Sequence, residues 1–337
     1  MTLSAARGIP PPRLPAPAGA LTDALFEALR QPPHTLFDLP VPDDGDDLAG
    51  DDMHLALAAC CELAYRGFAG VDGEWEWEPS LVELRLALER RFETAVRAAL
   101  PTVPDATEGR VPERLETLIA ADDSPSVARH LAQRGTENEL RELLIHRSAD
   151  RLKEADPHVR VIPRLPTRAK AAMVEVLADE YGGGRPEYLH SELYRQALEA
   201  LGLDGSYGAY LDRLPGVTLA TVNLMSMFGA HARWRGAIVG HLAMTEMTSS
   251  EANRRYGRAV RRLGYTSREA THYFDEHVEA DAIHDVVAAH DLAGGLAQAD
   301  PDQADTVVFG ARALILVERA FANHLLGAWA AGRSSLR

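Results

Sequence analysis

Residues 271–290 read THYFDEHVEADAIHDVVAAH. Within them His277, Asp281 and His284 form an H-x-x-x-D-x-x-H pattern. A helix turns about 100° per residue, so positions i, i+4 and i+7 fall within roughly 60° of one another. Two imidazoles and one carboxylate then share a face, one above the other. They are nitrogen and oxygen donors of the kind that bind first-row transition metals such as iron. Short spacings also match by chance, and a solvated acidic helix that happens to carry histidines is the competing reading. A metal site therefore requires further ligands from elsewhere in the chain.

Outward from this stretch, helical periodicity dominates. Residues 217–247, VTLATVNLMSMFGAHARWRGAIVGHLAMTEM, are apolar almost all round, as in a buried helix. Thr248–Ser250 should end that run, with a basic amphipathic helix over Glu251–Leu263. Ser267, or Thr266, caps the helix that carries the metal pattern. A last long helix is expected over Asp302–Gly332. Its core positions are Val308, Ala311, Leu314, Val317, Phe321, Leu325 and Trp329. Upstream, helices are expected at Leu21–Arg30, Met53–Arg66, Ser80–Leu100, Pro112–Ala121, Ser124–Gln133, Glu137–Glu154 and Thr167–Tyr181. Trp75 and Trp77 fall in a loop expected to pack. The sequence shows no convincing strands and no internal repeat, so the expected fold class is all-α, a helical bundle.

Composition narrows the function classes. At 337 residues the chain can bury a large core. A net charge of -15 with no basic stripe argues against a nucleic-acid partner. Its cations are nearly all arginine; the lysines are Lys153 and Lys170. Cys60 and Cys61 are adjacent in an apolar run, expected as buried thiols rather than a disulfide framework. No signal-peptide profile and no long apolar run stand out, so a cytoplasmic protein without a membrane contact is expected. The acidic run at 43–52 reads as a solvated loop.

Several residues could complete a metal site. Glu246 lies among Leu242, Ala243, Met244 and Met247, where a lone carboxylate is costly to bury unless paired or metal-bound. Otherwise it is a surface acid on a frayed turn. Glu180 and His190 flank a glycine-rich break, EYGGGRPEYLH, and two helix ends meeting at such a turn could bring both to one point. A capped helix–turn–helix is the plainer alternative. Glu154 precedes a Pro-rich break, with Asp156 and His158 as alternatives for any role. His231, His241, His272, His290 and His324 read as structural or surface residues.

Glu180, His190, Glu246, His277, Asp281 and His284, in that order, resemble the metal motif of the heme-oxygenase-like diiron oxidases, also described as iron-containing redox enzymes. The resemblance covers roughly residues 112–337. It implies a heme-oxygenase-like helical bundle holding two iron ions, Fe(II) or Fe(III), with O2 as co-substrate. Some members that oxygenate nitrogen place an extra carboxylate upstream, and Glu154 falls where that ligand is expected. The implied activity is oxidation of a small amine or amino acid to a hydroxylamine or nitro product in natural-product biosynthesis. C–C cleavage of an amino or fatty acid is the alternative. An electron donor and a homodimer are the implied partners. The expected organisation is a disordered or extended Pro-rich tail (1–20), an N-terminal helical extension (21–111) and the diiron domain (112–337). Outside this class, a heme or thiamin-type enzyme of the same fold and a non-catalytic helical interaction protein remain. A ferritin-like bundle is disfavoured, since no Glu-x-x-His pair occurs at these positions.

Overall fold

The computed structural model of the chain describes residues 10–41, 45–101 and 109–337, with the side chains at 280–283 excepted. Among the described residues the chain is all-helical, without strands. The α-helices are α1 (Ala20–Leu29), α2 (Asp51–Glu62), α3 (Pro79–Ala99), α4 (Val111–Ala121), α5 (Val127–Gln133), α6 (Glu137–Arg151) and α7 (Asp156–Val159). Then come α8 (Thr167–Glu180), α9 (His190–Ala200), α10 (Gly216–Ala230), α11 (Arg235–Arg262), α12 (Arg268–Val286), α13 (Gly294–Ala299) and α14 (Ala304–Ala330). Short 3-10 turns join several of them.

The long helices α11, α12 and α14 form the centre, with α11 packed against both of the others. Two glycines explain how α11 and α14 approach so closely. A Cβ on Gly240 would lie 1.8 Å from the Val307 carbonyl oxygen, and one on Gly310 would lie 2.0 Å from that of Ala237. Backbone touches backbone, and no neighbour can swing aside. Gly240→Ala is expected to cost about 3 kcal/mol, at the upper end of overpacking penalties, read as a lower urea midpoint at unchanged slope.

Two apolar clusters fill the interior. One runs from Leu21, Phe26, Leu57 and Phe92 through Met173 and Phe228 to Ile238 and Val307. The N-terminal helices therefore share their core with α8, α10, α11 and α14. The second gathers Leu131, Leu144, Leu198, Tyr273, Phe274 and Phe321.

Several expectations change. The apolar stretch 217–247 is not one helix: α10 stops at Ala230, and a 3-10 turn over Ala232–Trp234 leads into α11. Thr248–Ser250 do not end α11, which runs 28 residues to Arg262. The Thr248 and Ser249 hydroxyls fold back onto the helix: Thr248 Oγ1 donates to the Met244 carbonyl at 2.8 Å. Glu137–Glu154 is helical only to Arg151, and Glu154 sits in the turn that follows. Of the Pro-rich tail, residues 10–19 take the extended alternative, and 1–9 lie outside the described residues. Pro12 and Pro15 are buried, and the Ala69 amide donates to the Pro12 carbonyl at 2.7 Å. Trp75 packs fully inside, donating to the Gln31 carbonyl, while Trp77 is exposed. Cys60 and Cys61 are buried free thiols, and burial pushes the Cys61 thiol up to about 12.

Candidate metal centre

The helix α8 ends at Glu180, and Gly182, Gly183 and Gly184 all take positive φ (64°, 59° and 79°). At Gly182 the turn is also crowded, since a Cβ would lie 2.6 Å from the Tyr188 backbone. The chain reverses there, and α9 opens at His190. Glu180 and His190 are thereby both buried, with His190 Nδ1 3.0 Å from Glu180 Oε2.

Across from them, α12 presents His277. Its Nδ1 donates to the Tyr273 carbonyl one turn back at 2.8 Å, which leaves Nε2 to face the site. The His190 and His277 rings lie 4.3 Å apart between centroids. Glu154 enters from the turn after α6, its Oε1 3.7 Å from His277 Nε2. One donor atom from each of Glu154, Glu180, His190 and His277 lies within 4.8 Å of the others.

The state of these atoms decides what the cluster is built for. Glu180 Oε2, His190 Nδ1 and His277 Nε2 are buried and make no hydrogen bond. Buried polar atoms are nearly always hydrogen-bonded, and three that face one spot with only ion-pair contacts to each other and to Glu154 form a cradle for a cation. A cation bound by two imidazoles and two carboxylates satisfies all of them. That donor set fits iron or a similar first-row metal.

A second group adjoins the same cavity. Glu246 is mid-helix on α11 and buried, not on a frayed end. His284 Nδ1 lies 3.4 Å from Glu246 Oε2, while His284 Nε2 donates to Asp179 Oδ2 at 2.9 Å. Asp179 thus orients His284 so that Nδ1 faces the acid, as a carboxylate does for many metal-binding histidines. Asp281, on the same helix, lies outside the described side chains. A π-helical turn follows immediately over Val287–Ala293.

The electrostatics set imidazoles against carboxylates in both groups. Burial alone lowers His190, but the Glu180 and Glu154 carboxylates outweigh it and push it up to about 9. Burial likewise opposes Glu246 and Asp179 at His284, and the acids win, again to about 9. Glu154 is raised by burial, but Arg151 and then His277 hold it well below the usual carboxylate range.

A cavity of about 370 Å³ lies between the two apolar clusters, lined by Glu154, Glu180 and Glu246. Its wall carries an alternating charge ladder. Glu318 on α14 pairs with Arg147 at 2.5 Å, Arg147 and Arg151 reach Asp150 at 3.7 and 3.6 Å, and Arg151 pairs with Glu154. Tyr273 also donates to Glu154 Oε2, at 3.0 Å. His158 and His241, the one an alternative to Glu154 and the other read as structural, line this cavity too. They face each other with their ring nitrogens 3.3 Å apart. Burial, and for His158 also the neighbouring His241, lowers both, His241 to about 4. Asp179, Tyr273 and Arg151 escaped the sequence reading. Asp179 adjoins Glu180, and Tyr273 sits one turn before His277, but nothing in the spacing marked either.

Residues 141–319 match the family described as iron-containing redox enzymes. The chain belongs to that family. It is an iron-containing oxidoreductase, and the matched span includes all the candidate ligands. Over 190 residues it is also 27% identical to the nitrosourea synthase of Streptomyces achromogenes subsp. streptozoticus. That alignment covers 56% of this chain, and the chain spans only 40% of the relative's length. Among the described residues no helix is long and apolar enough to cross a membrane.

Proposed function

We propose that this oxidoreductase is a two-iron, O2-dependent enzyme that oxygenates the nitrogen of a small amine or amino acid. The observation that carries the reading is the convergence of unsatisfied buried atoms on Glu180, His190 and His277, with Glu154 beside them. In this reading Glu154, Glu180, His190 and His277 serve one end of the site, and Glu246, Asp281 and His284 complete it. Four carboxylates would offset the charge of two divalent ions, so the buried centre is neutral overall.

Bound iron would supply the activation of O2, and an external electron donor the two electrons each turnover needs; the chain holds, orients and shields. Asp179 and the Tyr273 carbonyl fix the imidazole orientations. Apolar walls from Leu177, Leu242, Met244 and Phe274 exclude bulk water. The charge ladder offers both signs at the cavity wall, suited to a substrate with an ammonium and a carboxylate.

Two features favour nitrogen as the site of oxygenation. Glu154 adds a carboxylate to the cluster, and the similar Streptomyces protein is named for a product with an oxidised nitrogen. The test is anaerobic Fe(II) loading of the metal-free chain, then O2 exposure with free amino acids, polyamines and fatty acids. Two irons per chain, iron-dependent O2 uptake with an amine, and a product carrying oxygen on nitrogen are expected. Saturation below two irons overturns the diiron reading. A product shortened by carbon moves the assignment to C–C cleavage.

A further inference from the structure

Glu154 is not delivered by a helix. It lies in the turn after α6, where Arg151 and Tyr273 hold its carboxylate but no helix fixes its backbone. Ala155 adopts φ +73° there, a left-handed conformation that costs a non-glycine residue about 1–2 kcal/mol. Such a turn persists only when its surroundings over-determine it.

Its neighbours supply that constraint. Lys153, buried, points away from Glu154 and into the N-terminal part of the molecule. Its Nζ donates to Glu62 Oε2 at 3.0 Å and lies 4.5 Å over the Tyr65 ring. Glu62, the last residue of α2, also accepts from the Tyr207 hydroxyl at 2.8 Å on both oxygens. On the other flank, Tyr181 donates to Asp156 Oδ1 at 2.9 Å, and Tyr181 directly follows Glu180. The chain places lysine at only two positions, 153 and 170, and arginine at the rest of its 35 basic residues. A compact ammonium is what a closed pocket of one carboxylate and one aromatic face accommodates; a guanidinium fork is not.

We propose that the buried Glu62–Lys153–Tyr207 cluster is a positioning device for Glu154, through which the N-terminal helices set the metal site. This rests on the reading of Glu154 as a metal ligand. Lys153, Glu62 and Tyr207 touch no reacting atom. They hold the 152–156 turn so that consecutive side chains face opposite ways, the ammonium toward α2 and the carboxylate toward His277. A buried pair is by itself poor evidence for added stability, so a role in holding one conformation is the better account of its presence.

The experiment titrates the metal-free full-length chain with Co(II), following the visible d–d spectrum, in wild type, Glu154→Gln, and the double variant Glu62→Gln/Lys153→Met. The double variant leaves no unpaired buried charge. Tyr207→Phe alone is the milder second variant, removing the hydroxyl's bonds to Glu62 and keeping the Lys153–Glu62 pair. Glu154→Gln should weaken one Co(II) equivalent and change its spectrum. The brace variants, folded by circular dichroism, should reproduce that spectral change and weaken the same equivalent by about tenfold, as for lost support of a ligand. A purely structural pair would lower the melting temperature and leave stoichiometry and spectrum as in wild type; that result overturns the proposal. If Glu154→Gln itself binds like wild type, the ligand assignment falls and the brace falls with it, so the two failures are distinguishable.

Discussion

His190→Ala is expected to leave the protein with at most one iron per chain and to lower iron-dependent O2 uptake by more than about 100-fold, since even supporting residues cost 10–100-fold. His190 sits at the meeting point of the cluster, 3.0 Å from Glu180 and with its ring centroid 4.3 Å from that of His277. Removing it takes away one of two imidazoles at that end. In the metal-free protein it also takes away the cation that Glu180 and Glu154 face. Glu180 is then a buried carboxylate without that partner, so a loss of stability of about 3 kcal/mol accompanies the loss of metal. Iron content by colorimetric assay and O2 uptake by electrode check both parts. Retention of two irons would show that the cluster is a salt-bridge network rather than a metal centre.

Raising the pH from 6.5 to 9 should destabilise the metal-free protein and favour the metal-loaded one. His190 and His284 titrate near 9 in the folded chain, and His277 is also raised, against 6.5 unfolded. For burial-opposed histidines the carboxylates win, so the folded state holds protons that the unfolded state releases. That contribution is full below pH 6.5 and disappears as pH rises through about 9. The melting temperature of the metal-free chain should fall on the order of 5 °C across the window. Metal ions need neutral imidazoles, so binding releases protons and tightens by up to about tenfold per pH unit for each proton displaced. With saturating Mn(II) the melting temperature should therefore rise relative to the metal-free protein as pH increases. Scanning fluorimetry with and without Mn(II) reads the two slopes. A flat or rising metal-free curve would remove the paired-histidine account.

Much of the architecture was legible in the chain because helical periodicity is a local property. The apolar spacing marked α1, α3, α8 and α14 to within a few residues. Ser267 was readable as a cap, and its Oγ accepts from the Ala270 amide. The same periodicity was silent at His231, where an apolar run that could have continued turns instead, because the break depends on what α10 and α11 pack against. It also misjudged Thr248–Ser250, where the Thr248 and Ser249 hydroxyls bond back to the helix rather than ending it.

The amino-acid sequence by itself determined an all-helical chain, one helix face bearing His277 and His284, and a glycine turn with Glu180 and His190 at its ends. These follow from spacing along one or two elements, where three or four residues make a turn and position dictates direction. Only the tertiary structure decided that Glu154 reaches His277 from a turn, that Asp179 orients His284, and that Lys153 reaches across 91 positions to Glu62. Such contacts are made by packing between elements, and packing energy depends on shape and burial that no local pattern encodes.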